Sequence, residues 1–316
     1  MLNAPRSVSG AILYGTLWIP LAVTHEARAR DVLVSSRFSN TIIRFDDLGA
    51  LVGTFATGPE LQNPNGIAFG PDGNLYVGLG DAGAILRYDG HTGAFMDTFV
   101  PAGLGGLANV RDLAFGPDGN LYADSGTTNQ VLRFDGSTGA FLGVAAQGGG
   151  LNGPVGLTFG PDGSLYVGGA LSNRIYRFAA DGTLVRTYIP GSLRNATGLA
   201  FGTDGMLYAA MSVSNVVARF NPETGALMGS FGAGTGLNTP IYMTAAPGGT
   251  LLVGSFGNDS VRRFDPVTGT SLGTFITSGL GGLDGTHDIV FMPVPAPSMF
   301  AFVAPAVVFG AGRRRR

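Results

Sequence analysis

The 316-residue sequence contains no cysteine and no lysine, a single tryptophan and three histidines. Without cysteine there can be no disulfide framework, thiolate zinc site or redox pair. Every one of the 19 basic residues is arginine, and only 13% of the chain is charged, about half the usual share of ~25%. What is abundant is glycine, with 53 residues, more than twice the ordinary fraction of about 7%. No glycine recurs strictly every third residue, which excludes a collagen-like chain. With 45% apolar residues the composition is also too hydrophobic for a disordered, low-complexity protein. The length suits about two ordinary domains or one large all-β domain. So much glycine among apolar residues predicts many tight turns between short strands.

The two ends differ from the middle. Residues 1–29 have the order of a secretory signal: Arg6, an uncharged apolar stretch from Ala11 to Val23, then the small-residue cleavage pattern Ala27-Arg28-Ala29. At the other end, Pro293-Val294-Pro295-Ala296-Pro297-Ser298 precedes the apolar run Met299 to Gly312 and the cluster Arg313 to Arg316. The uncharged segment is close to the shortest length that spans a bilayer, and the terminal arginines would hold its end in the cytoplasm. Together the ends predict export followed by retention at the membrane, with the C-terminal helix as the one membrane contact. Between them, 13 arginines face 20 acidic residues, a net charge near −7 where the whole chain carries −2. Such a surface repels phosphate backbones, and with no basic stripe to offset it nucleic acid is excluded as a partner.

The middle is one unit repeated six times. Gly66-Ile-Ala-Phe-Gly-Pro-Asp-Gly-Asn-Leu-Tyr-Val77 recurs at Asp112 to Ala123, Gly156 to Val167 and Gly198 to Ala209, with a worn copy from Tyr242 to Val253. Equivalent positions fall at Phe69, Phe115, Phe159, Phe201, Ala245 and Phe291, a spacing of 42 to 46 residues. An apolar stretch ending in arginine and an aromatic recurs at Arg44-Phe45, Arg87-Tyr88, Arg133-Phe134, Arg177-Phe178, Arg219-Phe220 and Arg263-Phe264. In the second unit four strands are predicted at about Gly66–Phe69, Leu75–Val77, Ile85–Tyr88 and Ala94–Phe99. Pro-Asp-Gly turns the first into the second, and Thr-Gly turns the third into the fourth. A period near 44 with four strands per unit is the signature of a propeller blade.

The C-terminal unit supplies only a first strand, Asp288 to Phe291, and the N-terminal unit starts with a second, Val32 to Val34. One strand from the end therefore completes a blade with three from the beginning. The fold class predicted is all-β: a six-bladed propeller of four-stranded antiparallel blades, closed by its C-terminal strand and without exposed sheet edges at the seam. The predicted layout is a signal at 1–29, a propeller at 30–293 and a sorting segment at 294–316, with the protein a monomer.

On these repeats the chain resembles the NHL-repeat group of six-bladed propellers over about residues 31–293, best over Leu113-Ala-Phe-Gly-Pro-Asp-Gly-Asn-Leu-Tyr-Ala-Asp-Ser-Gly-Thr-Thr-Asn-Gln-Val-Leu-Arg-Phe134. The wider relatives include gluconolactonase-like enzymes, streptogramin lyases and the binding modules of receptors and matrix proteins, so the resemblance implies an architecture rather than one activity. The tail resembles the PEP-CTERM sorting signal of Gram-negative bacteria, in which a proline-rich motif, an apolar helix and an arginine cluster follow one another. That resemblance implies processing by an exosortase-like sorting partner and a place in the periplasm, at the outer surface or in the extracellular matrix. Ala296 stands where that motif usually has glutamate.

Tight, repeated turns occupy one face of such a propeller, and the variable connections lie on the other, where binding residues concentrate on a rigid scaffold. Repeated residues are read as scaffold. Asn40, Gly83, Asn129, Asn173, Asn215 and Asp259, four before each Arg-aromatic pair, are types that tolerate a left-handed turn. The aspartate of Pro-Asp-Gly is read as a turn residue, and the six arginines as bridges between blades or covers over apolar surface. Function is expected where the repeats differ. The pairs starting each first strand are Asn65-Gly66, Arg111-Asp112, Val155-Gly156, Thr197-Gly198, Ile241-Tyr242 and His287-Asp288. Asp124 ends a second strand where other blades have small residues.

Asn65, Arg111, Tyr242 and His287 are therefore candidate ligand-binding residues, and Asp112, Asp124 and Asp288 candidate ligands for Ca2+ or Mg2+. The alternative is an Arg111–Asp112 or His287–Asp288 hydrogen-bond network closing the ring. His287, beside Asp288, is the one candidate general base. The resemblance implies histidine and glutamates around magnesium for a lyase, or Glu, Asn and Asp around calcium for a lactonase, and neither set maps residue by residue. Two functions stay open: a non-catalytic exported module binding a cell-surface or matrix polysaccharide or protein, and a divalent-metal-dependent lactonase or lyase.

Overall fold

The computed structural model describes residues 30–293, so the signal expected at 1–29 and the sorting segment expected at 294–316 lie outside the described residues. Among the described residues no helix is long and apolar enough to cross a membrane. The chain forms a six-bladed propeller of six separate four-stranded antiparallel sheets. In the second blade β4 (Pro64–Phe69), β5 (Leu75–Leu79), β6 (Ala84–Tyr88) and β7 (Phe95–Val100) pair in order, each starting within two residues of the predicted strand. The first blade is composite. β24 (Thr286–Phe291) pairs with β1 (Val32–Ser36), which continues through β2 (Thr41–Phe45) to β3 (Leu51–Thr57). Val32 faces Phe291 and Val34 faces Ile289, and Met292 N–H donates to the Asp31 carbonyl at 2.8 Å. This is the closure predicted from the two incomplete units.

Each blade turns one strand toward the axis: β24, β4, β8 (Leu113–Phe115), β12 (Pro154–Phe159), β16 (Ala196–Phe201) and β20 (Pro240–Ala245), each packed against the next around the ring. Side chains on a strand alternate between faces, and here both faces are covered. Leu75 and Val77 of β5 join a core shared with the first blade, whereas Tyr76 between them joins a core shared with the third. Six such cores occupy the six gaps between neighbouring blades. Among the strands only the outermost expose large apolar residues, as at Phe95 and Met96 of β7, and the other exposed ones lie in connections, as at Phe38 and Leu171.

The repeated polar residues are scaffold, in more detail than their sequence positions showed. Asn40, Asn129, Asn173, Asn215 and Asp259 all have positive φ, from 51° to 58°. Each also reaches the following connection: the side-chain oxygens accept from the N–H of Asn63, Gly153, Asn195, Thr239 and Gly285 respectively. A turn residue thus doubles as a clasp on the next blade. The Pro-Asp-Gly aspartates also do more than turn the chain. Asp72, Asp118 and Asp204 accept a hydroxyl hydrogen bond from Tyr76, Tyr122 and Tyr208 at 2.8–3.0 Å. The six repeated arginines were expected to bridge blades or cover apolar surface. Five of them pair with a carboxylate beside their own sheet: Arg44 with Asp31, Arg87 with Asp97, Arg133 with Asp118, Arg177 with Asp162 and Arg219 with Asp204. Arg87 and Arg177 also lie over the Phe99 and Tyr166 rings. The guanidinium needs a partner within a few ångströms, and the blade's own corner is nearer than its neighbour's. Arg177 also reaches across, 3.6 Å from Glu223.

The innermost strands approach so closely that three blades have glycine at one equivalent position. A Cβ on Gly198 would land on the Ile241 carbonyl and lie 2.6 Å from the Tyr242 Cα, both main chain of the next blade. Main chain in a closed ring cannot yield as a flexible side chain would. Gly198→Ala is therefore expected to destabilise the protein by about 1–3 kcal/mol, read as a lowered chemical-denaturation midpoint with an unchanged slope.

Candidate functional site

On the face carrying the variable connections, a cavity of ≈ 410 Å³ opens at the mouth of the central channel. Three positions of the repeat build most of its wall. The first lies three residues before the left-handed turn residue and supplies Arg37, Gly126, Ala170, Ser212 and Phe256. The second, two residues before the starting pair ends its first member, supplies Asn109, Gly153, Asn195 and Thr239. The third is the first member of that pair, supplying Arg111, Val155, Thr197, Ile241 and His287. Arg111 and His287 are thus placed where they were expected to be, at the channel mouth. Arg37 and Phe256 were missed, although the first position varies among Arg, Gly, Ala, Ser and Phe while its surroundings repeat. That variation within a fixed frame was the available signal.

Asn65 and Tyr242 sit deeper and serve the ring. Asn65 is fully buried, and its Nδ2 donates to the Val110 carbonyl at 3.0 Å. Tyr242 comes from the sixth blade, and its hydroxyl donates across the axis to the main-chain carbonyls of Arg111, at 2.8 Å, and Val155. The phenol therefore plugs the channel beneath the cavity. The His287 ring packs on it at 4.8 Å between centroids, with Phe256 edge-on at 6.4 Å. His287 is buried, and no partner is present for its Nδ1 among the described residues. Burial, together with the charges of Arg37 and Arg111, pushes its pKa well below the usual imidazole value, so the ring is neutral.

The three aspartates come together around the axis; five of their six oxygens accept main-chain N–H groups, while Asp124 Oδ2 is buried without a partner among the described residues. Asp288 Oδ1 accepts from Ile289 N–H at 2.7 Å, and Oδ2 accepts from Ile67 N–H of the second blade at 2.8 Å. Asp112 repeats the device, accepting from Leu113 N–H at 2.8 Å and from Leu157 N–H of the fourth blade at 2.7 Å. Asp124, at the end of β9 (Leu121–Ser125), accepts through Oδ1 from the N–H of Arg111 and Asp112 at 2.7 and 2.9 Å. Ser35 does the matching work in the first blade, accepting from Asp288 N–H at 2.8 Å and donating to the Asn65 carbonyl at 2.6 Å.

Burial raises all three carboxyl pKa values. Asp112 is raised well above the carboxylate range by burial and then by the charge of Asp288, Asp124 by burial, and Asp288 to about 7, also by burial. The main-chain N–H groups act in the opposite direction and offset only part of this effect.

The profile of the virginiamycin B lyase family matches residues 51–271. The chain belongs to that family. Among curated proteins no relative matches the sequence. Solved structures show the shared fold. Selenomethionine-substituted virginiamycin B lyase from Staphylococcus aureus is 19% identical, with a TM-score of 0.54 over 74% of this chain and 71% of that one. A chain of the nidogen/laminin complex is also 19% identical, with a TM-score of 0.68 over 84% of this chain and 98% of its own. A protein of unknown function from Bacteroides caccae is 14% identical, with a TM-score of 0.66 over 84% and 100%. Enzyme and matrix-protein propellers thus share this frame.

The donor set does not fit the magnesium or calcium sites that the resemblance implied. No carboxylate lines the cavity, and among the described residues no three histidine, aspartate or glutamate side chains are placed to share a cation. The described glutamates lie elsewhere. Glu60 accepts from the Tyr88 hydroxyl at 3.4 Å, and Glu223 is exposed near Arg177. The remaining histidine, His91, is exposed in a Thr-Gly corner. Asp112, Asp124 and Asp288 instead accept main-chain N–H groups of their own and neighbouring blades, and neither the Arg111–Asp112 nor the His287–Asp288 hydrogen bond expected as the alternative is present among the described residues.

Two consequences can be measured. Between the ordinary aspartate value of about 4 and about 7, folded Asp288 binds a proton that the unfolded chain has released. Stability should therefore fall as pH rises through that window and level off above it. In thermal denaturation from pH 4 to 8, Asp288→Asn should show a shallower decline. Separately, Tyr242→Phe leaves two buried carbonyls without their donor and should lower stability by about 1–3 kcal/mol, measured by urea unfolding.

Proposed function

We propose that the protein is an exported propeller, sorted to the cell surface through its C-terminal segment. In this view it is a non-catalytic module that binds a polysaccharide or protein of the surface or matrix at the channel-mouth cavity. One observation carries this function: the aspartates nearest the axis each accept two main-chain N–H groups and none lines the cavity, whose wall is arginine, amide, hydroxyl and apolar side chains. Such a wall can recognise a ligand, and it lacks the cation site on which the metal-dependent chemistry would depend. The order of the sorting elements in the sequence supports the location. The protein is expected to act as a monomer.

A second function, lyase or lactonase chemistry, is favoured by the family and by His287. A catalytically inactive histidine-to-alanine form of the Staphylococcus aureus lyase has been solved with quinupristin, at 19% identity and a TM-score of 0.54 over 74% of this chain and 71% of that one. In this chain the neutral His287 imidazole lies at the cavity wall, its Nδ1 buried and without a partner among the described residues. It could accept a proton from carbon while a leaving group departs from the neighbouring carbon.

Metal analysis of the purified full-length chain, with Asp112→Asn beside it, separates the two, together with chromatography after incubation with quinupristin. Binding alone predicts substoichiometric calcium and magnesium in both proteins and intact quinupristin. Stoichiometric metal lost in the variant, or quinupristin opened by wild type and spared by His287→Ala, would establish the enzyme.

A further inference from the structure

We infer that the cavity is a receptor for a carboxylate, carried by a small organic acid or by an acidic sugar, with Arg37 and Arg111 as the residues that hold it. This deepens the binding function proposed above and rests on the cavity being the binding site.

The argument starts from charge. The described domain carries 20 acidic residues against 13 arginines, yet the cavity wall contains two arginines and no acid. The Arg111 side chain makes no hydrogen bond or ion pair among the described residues, although it is half-buried at the wall. Arg37 is nearly as unoccupied. Its one ion-pair partner is Asp81, 3.8 Å away and highly exposed, and its Nε is buried without an acceptor. These cavity arginines differ from the five paired with carboxylates at their own blades.

A guanidinium desolvated without an acceptor is costly, and a planar fork suits a carboxylate in particular. The remaining wall agrees with a small organic ligand. Val155, Ile241 and Phe256 offer apolar surface, and Asn195 has a buried Oδ1 with no partner, able to accept from a ligand hydroxyl. The volume lies within the range of small-molecule sites.

Of the aspartates beneath the cavity, Asp112 and Asp288 are turned to main-chain N–H groups, and Tyr242 closes the channel between. Asp124 is near enough for the Arg111 charge to act on it, but burial outweighs that charge and raises its pKa well above the carboxylate range, which leaves Arg111 without a full counter-charge. His287 contributes no cation of its own, since burial, and after it the charges of Arg37 and Arg111, suppress its protonation.

The test is isothermal titration calorimetry of the full-length chain with sodium glucuronate, polygalacturonate and, as the neutral counterpart, methyl glucoside. Saturable binding of glucuronate or polygalacturonate and none of methyl glucoside is expected, weakening as salt is raised. Preference for monomer or polymer distinguishes the free acid from the polysaccharide end. Arg111→Gln should weaken binding at least tenfold and Arg37→Gln with Arg111→Gln should abolish it. Arg111→Lys should give an intermediate loss, and Arg174→Gln, outside the wall, none. Unchanged melting temperatures show that the variants fold. Wild-type affinity in a folded double variant, equal binding of methyl glucoside, or no saturable binding of either acid overturns the assignment. Arginine-independent binding in the cavity would leave the binding module standing. Arginine-dependent binding followed by chemical conversion of the sugar acid would support the assignment while replacing the non-catalytic function.

Discussion

Six innermost strands crowd one axis, so their main-chain polar groups must be satisfied without water. Unpaired buried N–H groups cost about as much as a lost hydrogen bond each, and the ladder of each sheet does not reach all of them. β24 slips register against β1 between Val34 and Ser36, and β8 joins its ladder only from Leu113. The groups left over are met by side chains that reach from one blade to the next. Asp288 and Asp112 bridge forward, Ser35 and Asp124 bridge inward, and Tyr242 spans the ring. Most of the polar inventory near the axis is explained by this requirement.

That requirement also bears on what the channel mouth can present. In a propeller, the same axial positions can present carboxylates to a ligand or turn them into the structure, and a carboxylate accepting two main-chain N–H groups has little left to offer. Family and fold therefore constrain the shape of the mouth, while the identity of a handful of side chains decides its chemistry. Here the acidic groups went inward and two arginines remained facing the cavity.

The architecture was legible because it is written many times over. The recurring Pro-Asp-Gly and Thr-Gly corners place turns at regular intervals, and the two incomplete units revealed the composite first blade. Even the left-handed residues could be read, since Asn40 and its equivalents are types that accept positive φ. The site was legible only in part. Arg111 and His287 stood out as departures from the repeat, whereas Asp112, Asp124 and Asp288 stood out equally and had a structural task. Nothing local distinguishes a carboxylate aimed at a ligand from one aimed at the neighbouring blade's main chain, because the acceptor's partner lies some 45 to 221 residues away. Arg37 went unnoticed for the same reason, since an unpaired guanidinium is a property of space rather than of spacing.

The seam between β24 and β1 also sets an order of events in biosynthesis. Asp288 meets Ser35 across 253 residues, and the entropy of closing so long a loop, about 5 kcal/mol, grows only slowly with length. Equilibrium therefore tolerates the seam, but the clock does not ignore it, because distant pairings form late. Until the last strand is made, β1 carries an unpaired edge, and the cores flanking the first blade stay open. The ring therefore exists only after the far end of the propeller has been made.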